Sequence, residues 1–469
     1  MSFIKTLLRD SVIYTIPAVV SRGLGLILLP LYTHVLSPEQ FGIMDMFLTV
    51  GNLIALTVAL EISQATARYY VEAADDVARN RYVATGFYFT VASYLLFALL
   101  AYLMASPITR SLTGSAEYTY HFRLSIAYMV LNGIFIYLQN QLRAELRSKA
   151  YTLASFIFSG AWCGTVFWLV YLRGMGLEGI LLSMIAGSGS GTLYGFYALH
   201  ARCMSKASLG TLRQMLAFSA PLVASGVCVF VNVYIDRLMI NHFIGLADVG
   251  LYGLAFRIAA IAGLSTAGFQ GALTPMIMHG YKHAETPHQI ARVFSGFAAF
   301  ALVLYVILAL FAEDVLALFV PPSYYAAAPL VSILTLAVLF GNMYIFAPGM
   351  TIAKKTHLIF KINLVGAAVN LTLNIAFISS FGALGAALAT AIASIVVFGG
   401  YVMLGQRYYA IPYATKRIGA CVLAAIGIAT VNHFYSLGIA AKCACLMVML
   451  LAIWQAQLVR DKKPCVSGS

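Results

Sequence analysis

Apolar stretches, each about as long as a lipid bilayer is thick, follow one another along nearly the whole chain. A membrane-spanning α-helix needs about 20 consecutive apolar residues, far more than a barrel strand. Since only helices and closed barrels satisfy every backbone polar group within hydrocarbon, these stretches predict spanning helices. The fourteen predicted spans lie at about 12–36, 43–65, 82–105, 120–141, 151–172, 177–200, 214–243, 250–275, 292–312, 328–352, 358–380, 383–405, 417–436 and 440–459.

The composition supports this class. Charged residues make up 10% of the 469 residues and apolar residues 61%. A water-soluble domain carries roughly a quarter charged residues, so this chain could not cover a surface that faces water. Soluble enzymes, nucleic-acid-binding proteins and disordered chains are therefore excluded. We predict an all-α, polytopic membrane protein with no catalytic residues, no metal site and no cofactor.

The positive charges are distributed unequally between the two sides of the predicted spans. Twenty-two of the 29 Lys and Arg residues fall at the termini or in the loops on one side, and four fall in the loops on the other. Loops rich in Lys and Arg stay in the cytoplasm. Both termini are therefore predicted to be cytoplasmic, and the first apolar stretch, which lacks a cleavage site, is expected to be retained.

Two short motifs recur along the chain. The segment Leu36–Gly42 corresponds to Gly245–Gly250, and Met175–Ile180 corresponds to Phe381–Ala386, at offsets of 206 to 208 residues. Chance similarity of short glycine-containing turns is the alternative to a duplication. A duplication that maps the first span onto the seventh predicts two parallel six-helix lobes, followed by two further spans and a cytoplasmic tail. The corresponding domains are 1–208, 209–405 and 406–469.

Several segments resemble those of bacterial polysaccharide exporters. The turn Ile244–Ala255 is similar to the outer turn after the seventh span of those proteins. Further similar segments are Tyr324-Tyr325, Lys354–Thr356, Asn370–Asn374 and Phe381–Thr390. Over most of residues 10–405 the chain resembles the Wzx-like O-antigen and exopolysaccharide flippases of the multidrug/oligosaccharidyl-lipid/polysaccharide (MOP) exporter superfamily.

This resemblance implies a function and a setting. It implies a V-shaped, MATE-like pair of bundles that moves an undecaprenyl-pyrophosphate-linked oligosaccharide from the cytoplasmic to the outer leaflet of a bacterial inner membrane. Its partners would be that glycan, membrane lipids, H⁺ or Na⁺ as coupling ion, and polymerase and export components of the same pathway, with no nucleic acid. An ion-coupled multidrug exporter is the alternative within the superfamily. A membrane glycan polymerase or ligase is disfavoured by the short outer loops.

Three arginines within the predicted spans are candidate ligands for the substrate. An ionisable residue inside a span costs at least about 2.5–3.5 kcal/mol, which makes it a functional candidate. The planar guanidinium binds phosphate oxygens in pairs. We therefore assign the substrate pyrophosphate to Arg22, Arg257 and Arg237.

Four further polar residues are candidates for coupling or gating: Asp45, Asp236, Asn232 and Glu61. The structural alternative is that Arg22 or Arg257 forms an interhelical ion pair with Asp45 or Asp236. At the 208-residue offset Asp236 falls on Leu28, so the charges are not duplicated and an asymmetric site is expected.

Overall fold

A computed structural model of the chain describes residues 23–435, 437–456 and 458. The regular elements in these ranges are all helices. The α-helices are α1 (Leu29–Val35), α2 (Pro38–Thr57), α3 (Ile62–Glu72), α4 (Asp76–Leu103), α5 (Ala105–Thr113), α6 (Thr119–Ala144), α7 (Ser148–Val166), α8 (Gly176–Cys203), α9 (Leu209–Phe243), α10 (Leu246–Gly280), α11 (Thr286–Phe319), α12 (Ala328–Asn342), α13 (Gly349–Ile352), α14 (Thr356–Tyr408), α15 (Thr415–Tyr435) and α16 (Ile439–Gln455).

Ten helical segments of the described chain are long and apolar enough to cross a membrane. One of them, Pro38–Glu72, combines α2 and α3, and another, Pro322–Ile352, combines α12 and α13 with two short 3₁₀ turns. Two shorter apolar helices, Gly23–Val35 and Ile439–Gln455, also fall on predicted spans. The prediction of an all-α, polytopic membrane protein is therefore confirmed.

The helix α14 contains two of the predicted spans. Its 53 residues are interrupted at Gly382, whose φ of 61° and ψ of −143° lie outside the helical region. Glycine adopts such a backbone conformation at little cost because it has no Cβ. The predicted boundary between spans 358–380 and 383–405 therefore coincides with the kink, while the number of membrane crossings stays a prediction.

The chain divides into two compact units, Met1–Gly253 and Leu254–Ser469. In the first unit, α3, α4, α6 and α9 pack around a core that includes Ile62, Leu138 and Met215. The domain boundaries at 208 and 405 remain a prediction.

In the second unit, the two C-terminal helices pack against α11. The Asn432 side-chain amide on α15 donates a hydrogen bond to the Ala309 carbonyl at 3.2 Å. On α16, the ammonium group of Lys442, which is 4% exposed, forms an ion pair with Asp314. The two additional C-terminal spans are thus joined to α11 by polar contacts as well as by apolar packing.

The start of α2 packs closely against the start of α10, within the first unit. A Cβ atom on Gly42 would lie 1.9 Å from the Leu246 carbonyl oxygen, and a Cβ atom on Gly250 would lie 2.0 Å from that of Pro38. The two helices approach this closely because small residues let their backbones meet. The contact joins the two copies of the repeated motif, since Gly250 follows Gly42 by 208 residues.

We expect Gly42→Ala to lower the stability of the protein by about 1–3 kcal/mol, because the added methyl group would force two backbones apart. Thermal unfolding of the purified protein in detergent measures the change. Gly160→Ala on α7 is the matched control, since a Cβ there meets nothing within 4 Å. Equal unfolding temperatures for the two variants would contradict the close packing.

Candidate functional site

Buried charged residues connect three helices of the first unit. Asp45 on α2 is 5% exposed, and Asp236 and Arg237 on α9 are 0% and 4% exposed. The charged form of an isolated side chain is strongly disfavoured in such surroundings. Each of the three residues therefore needs a partner within the protein.

Arg237 is held by α2 and by its own helix. Its Nε donates a hydrogen bond of 2.7 Å to Asp45 Oδ2, and one terminal nitrogen donates to the Val233 carbonyl at 3.1 Å. The guanidinium carbon lies 5.3 Å and 5.5 Å from the ring centres of Tyr234 and Tyr252. A carboxylate and two aromatic faces thus compensate for the lost hydration of the cation.

Asp236 binds a different helix. The fully buried Tyr252 on α10 donates a hydrogen bond of 2.6 Å from its hydroxyl to Asp236 Oδ2. Although Asp236 and Arg237 are neighbours in sequence, Asp236 accepts its hydrogen bond from α10 and Arg237 donates one to α2. Charged or polar contacts therefore tie the C-terminal half of α9 to both helices.

Gly253 on α10 leaves room for the carboxylate of Asp45. A Cβ atom at this position would lie 2.7 Å from Asp45 Oδ2, closer than two such atoms can approach. Tyr234, Tyr252 and Gly253 were not among the predicted site residues. A signal for two of them was available, since Tyr252 and Gly253 belong to the turn motif that carries the family resemblance.

Three other candidate residues were predicted for the site: Arg22, Arg257 and Asn232. Arg22 is outside the described residues. Arg257 belongs to the second unit, where it is half-buried and where its charge acts on the fully buried phenol of Tyr324. Asn232 is half-buried on α9, and its side-chain amide donates to the Cys228 carbonyl at 2.9 Å.

Glu61 lies at a break between α2 and α3 and is half-buried. Arg68, seven residues further along the chain, forms an ion pair with Glu72 at 3.0 Å. Of the seven predicted residues, the structure thus brings Asp45, Asp236 and Arg237 together. The sequence analysis considered Arg22 or Arg257 as the ion-pair partner of Asp45. In the structure Asp45 pairs with Arg237.

Spanning helices that carry buried, mutually paired charges define a polytopic membrane protein of the kind that moves solutes or lipids. The family described as "Polysaccharide biosynthesis protein" matches residues 7–280. The chain belongs to this family, and its predicted resemblance to polysaccharide exporters is confirmed.

Individual proteins agree with this assignment. The probable low-salt glycan biosynthesis flippase of Haloferax volcanii is 20% identical over 425 residues, which cover 90% of this chain and 88% of that protein. The succinoglycan biosynthesis transport protein ExoT of Rhizobium meliloti is 25% identical over 244 residues, which cover 51% of this chain and 47% of ExoT.

Two solved structures share the fold. The lipid II flippase MurJ in an inward closed conformation aligns with a TM-score of 0.75 and 16% identity, covering 96% of this chain and 100% of MurJ. An inward-facing multidrug resistance transporter of the MATE family, from the MOP superfamily, aligns with a TM-score of 0.66 and 16% identity, covering 87% of this chain and 98% of that chain.

The Arg237–Asp45 pair is expected to show strong coupling in a double-mutant cycle. Asp45→Ala or Arg237→Ala alone leaves a buried charge without its partner and should cost about 3–5 kcal/mol. The double variant should cost less than the sum of the two. Unfolding in detergent measures the three values.

The exposed pair Arg68–Glu72 is the matched control for this cycle. Its side chains are 48% and 54% exposed, so their coupling should stay below about 1 kcal/mol. Additive effects at Asp45 and Arg237 would show that the two side chains do not stabilise each other.

Proposed function

We propose that this protein is a flippase that moves an undecaprenyl-pyrophosphate-linked oligosaccharide, an O-antigen or exopolysaccharide repeat unit, from the cytoplasmic to the outer leaflet by alternating access. The observation that carries the proposal is the family match over residues 7–280, together with a relative named as a glycan biosynthesis flippase that aligns with 90% of the chain. The proposed function is that of a transporter and not of an enzyme.

The pyrophosphate of the substrate is proposed to bind Arg22 and Arg257, with Arg237 joining during the cycle. A guanidinium can bind two phosphate oxygens at once. Arg257 is half-buried, so part of its surface is exposed. Arg237 is engaged by Asp45, so it would bind phosphate only by exchanging one anion for the other.

Asp45, Asp236, Asn232 and Glu61 are proposed to couple or gate this exchange, with H⁺ or Na⁺ as the coupling ion. Asp236 and Asp45 are suited to the task because they hold α9 against α10 and α2, respectively. A change in the charge of either acid would loosen one of these contacts, and the helices could then move relative to each other.

We place the protein in the bacterial cytoplasmic membrane with both termini in the cytoplasm. The support is the concentration of Lys and Arg on one side of the predicted spans. Polymerase and export components of the same glycan pathway would then act on the product at the outer leaflet.

The flippase proposal is tested by locating the lipid-linked glycan in cells that lack this protein. Spheroplasts are probed with a membrane-impermeant sugar-binding reagent, before and after wild-type protein is restored. Arg257→Ala should reduce the glycan at the outer surface roughly tenfold, and Arg257→Lys should restore part of it, since lysine keeps the charge but binds phosphate as a single point.

Arg81→Ala, at an exposed position of α4, is the control and should behave as wild type. An unchanged amount of glycan at the surface without the protein would reject the flippase proposal. Export of cationic drugs would then be the function to measure, since the MATE transporter shares the fold.

A further inference from the structure

Three arginines meet at one end of helices α3, α4, α6 and α8 in the first unit. Arg79 lies in the first turn of α4, Arg202 lies in the last turn of α8, and Arg147 lies in the connection between α6 and α7. The spanning segments that contain α3 and α6 end here, and the segment formed by α4 begins here. The three side chains therefore lie at the depth where the bundle meets the head groups of one lipid leaflet.

Arg147 and Arg202 share one buried carboxylate. The Glu145 side chain is 2% exposed, and its Oε2 atom lies 3.2 Å from Arg202 Nε and 3.9 Å from a terminal nitrogen of Arg147. Its Oε1 atom accepts a hydrogen bond of 2.9 Å from the Gln141 side-chain amide. Arg147 also donates to the Ala198 carbonyl at 2.7 Å. One negative charge thus holds two positive charges at this end of the helices.

Arg79 and Arg202 both lie beside the same aromatic ring. Their guanidinium carbons are 5.6 Å and 5.3 Å, respectively, from the ring centre of Tyr70 on α3. The charges of both arginines act on the Tyr70 hydroxyl. A terminal nitrogen of Arg202 lies 3.5 Å from Oδ1 of Asn80, the residue that follows Arg79. Two guanidinium groups, a phenol hydroxyl and a side-chain amide are therefore close together, and all four can donate hydrogen bonds to an anion.

Arg79 retains a donor without an acceptor. Its Nε atom is buried, and no described residue accepts a hydrogen bond from it. Its counter-ion is Asp76, which lies 3.2 Å from a terminal nitrogen and whose side chain is 77% exposed. The neighbouring acid, Asp75, accepts a hydrogen bond of 2.7 Å from the Ala78 amide. Because a buried donor without an acceptor is costly, an anion that supplied the acceptor would be favoured beside Arg79.

The cluster carries more positive than negative charge. Its three guanidinium groups are paired with two carboxylates, that of Glu145 and the largely solvated one of Asp76. Glu72, the last residue of α3, is paired with Arg68 at 3.0 Å. A guanidinium binds two phosphate oxygens at once. Basic pockets between spanning helices at the membrane surface bind the phosphate head groups of lipids. The excess charge and its depth in the membrane thus favour a lipid phosphate as the ligand.

We propose that Tyr70, Arg79, Asn80 and Arg202 form a binding site for the phosphate head group of a lipid in the leaflet that meets this end of the first unit. The two guanidinium groups bind the phosphate oxygens, and the Tyr70 hydroxyl donates to one of them. Arg147 keeps Glu145 neutralised, which leaves Arg202 with donors for the ligand. The site shares no residue with the proposed pyrophosphate ligands within the spans, so it does not depend on the transport function.

Two kinds of lipid carry this head-group chemistry. One is an anionic phospholipid of the bilayer, and the other is a lipid-linked pyrophosphate such as the proposed substrate. The probes are therefore phosphatidylglycerol and undecaprenyl pyrophosphate, with dioleoylglycerol, which lacks phosphate, as the reference lipid. Undecaprenyl pyrophosphate is tested in an Arg257→Ala background, so that the proposed substrate site does not contribute to its binding.

Native mass spectrometry of the purified full-length protein in detergent measures the affinity for each lipid. Arg79→Gln should weaken the binding of the phosphate lipid roughly tenfold, because paired hydrogen bonds to the phosphate are lost. Arg79→Lys should lie between the two, since it keeps the charge but binds at a single point. Arg81→Gln, at an exposed position two residues along α4, is the matched control and should bind as the wild type does.

Tyr70→Phe tests the site without removing a charge. It keeps the ring beside both arginines and loses the hydroxyl, so it should weaken binding about threefold. A loss confined to phosphatidylglycerol would identify a bilayer lipid as the ligand, and a loss confined to undecaprenyl pyrophosphate would identify the lipid-linked glycan. Wild-type affinity of Arg79→Gln and Tyr70→Phe for both phosphate lipids would reject the site. So would an equal loss in Arg81→Gln, or wild-type protein that binds dioleoylglycerol as tightly as the phosphate lipids.

Discussion

Hydrocarbon provides no hydrogen-bonding partner, so every charge in a membrane-spanning helix must find one within the protein or become neutral. Arg237 meets this requirement by binding Asp45 across 192 residues of sequence. Asp236 meets it through Tyr252. Because these partners lie on α2 and α10, the need to neutralise two adjacent residues of α9 fixes the arrangement of three helices in the first unit.

The same requirement produces two different outcomes for carboxylates. Asp45 has a cation beside it, and removing its side chain would leave Arg237 buried without its counter-ion. Its charge therefore contributes to holding the helices together. Glu61 has no such cation among the described residues, so no ion pair there fixes its position. The surroundings of the two carboxylates thus differ although their own chemistry is the same.

Sequence alone could predict the spanning segments, because apolar length is a local property that the bilayer thickness determines. It also identified Asp45, Asp236 and Arg237 as buried charges. The sequence could not predict which of these charges pair with each other, because the pairing depends on how α2, α9 and α10 are rotated about their axes. The break at Glu61 was equally invisible, since Leu60 and Glu61 have no glycine or proline among them to mark a left-handed turn. Arg22 lies outside the described residues, so its assignment remains a prediction.

The close contact at Gly42 and Gly250 joins positions 208 residues apart, and so does the contact of Asp45 with Gly253. Equivalent positions meet in this way on a twofold axis. In an unduplicated ancestor paired with a second copy of itself, one residue type would occupy both sides, and an aspartate at position 45 would face an aspartate. Two carboxylates at that distance could not both stay ionised. In the present chain the two positions differ, with Asp45 on one side and Gly253, which has no side chain, on the other, so the contact holds a single negative charge.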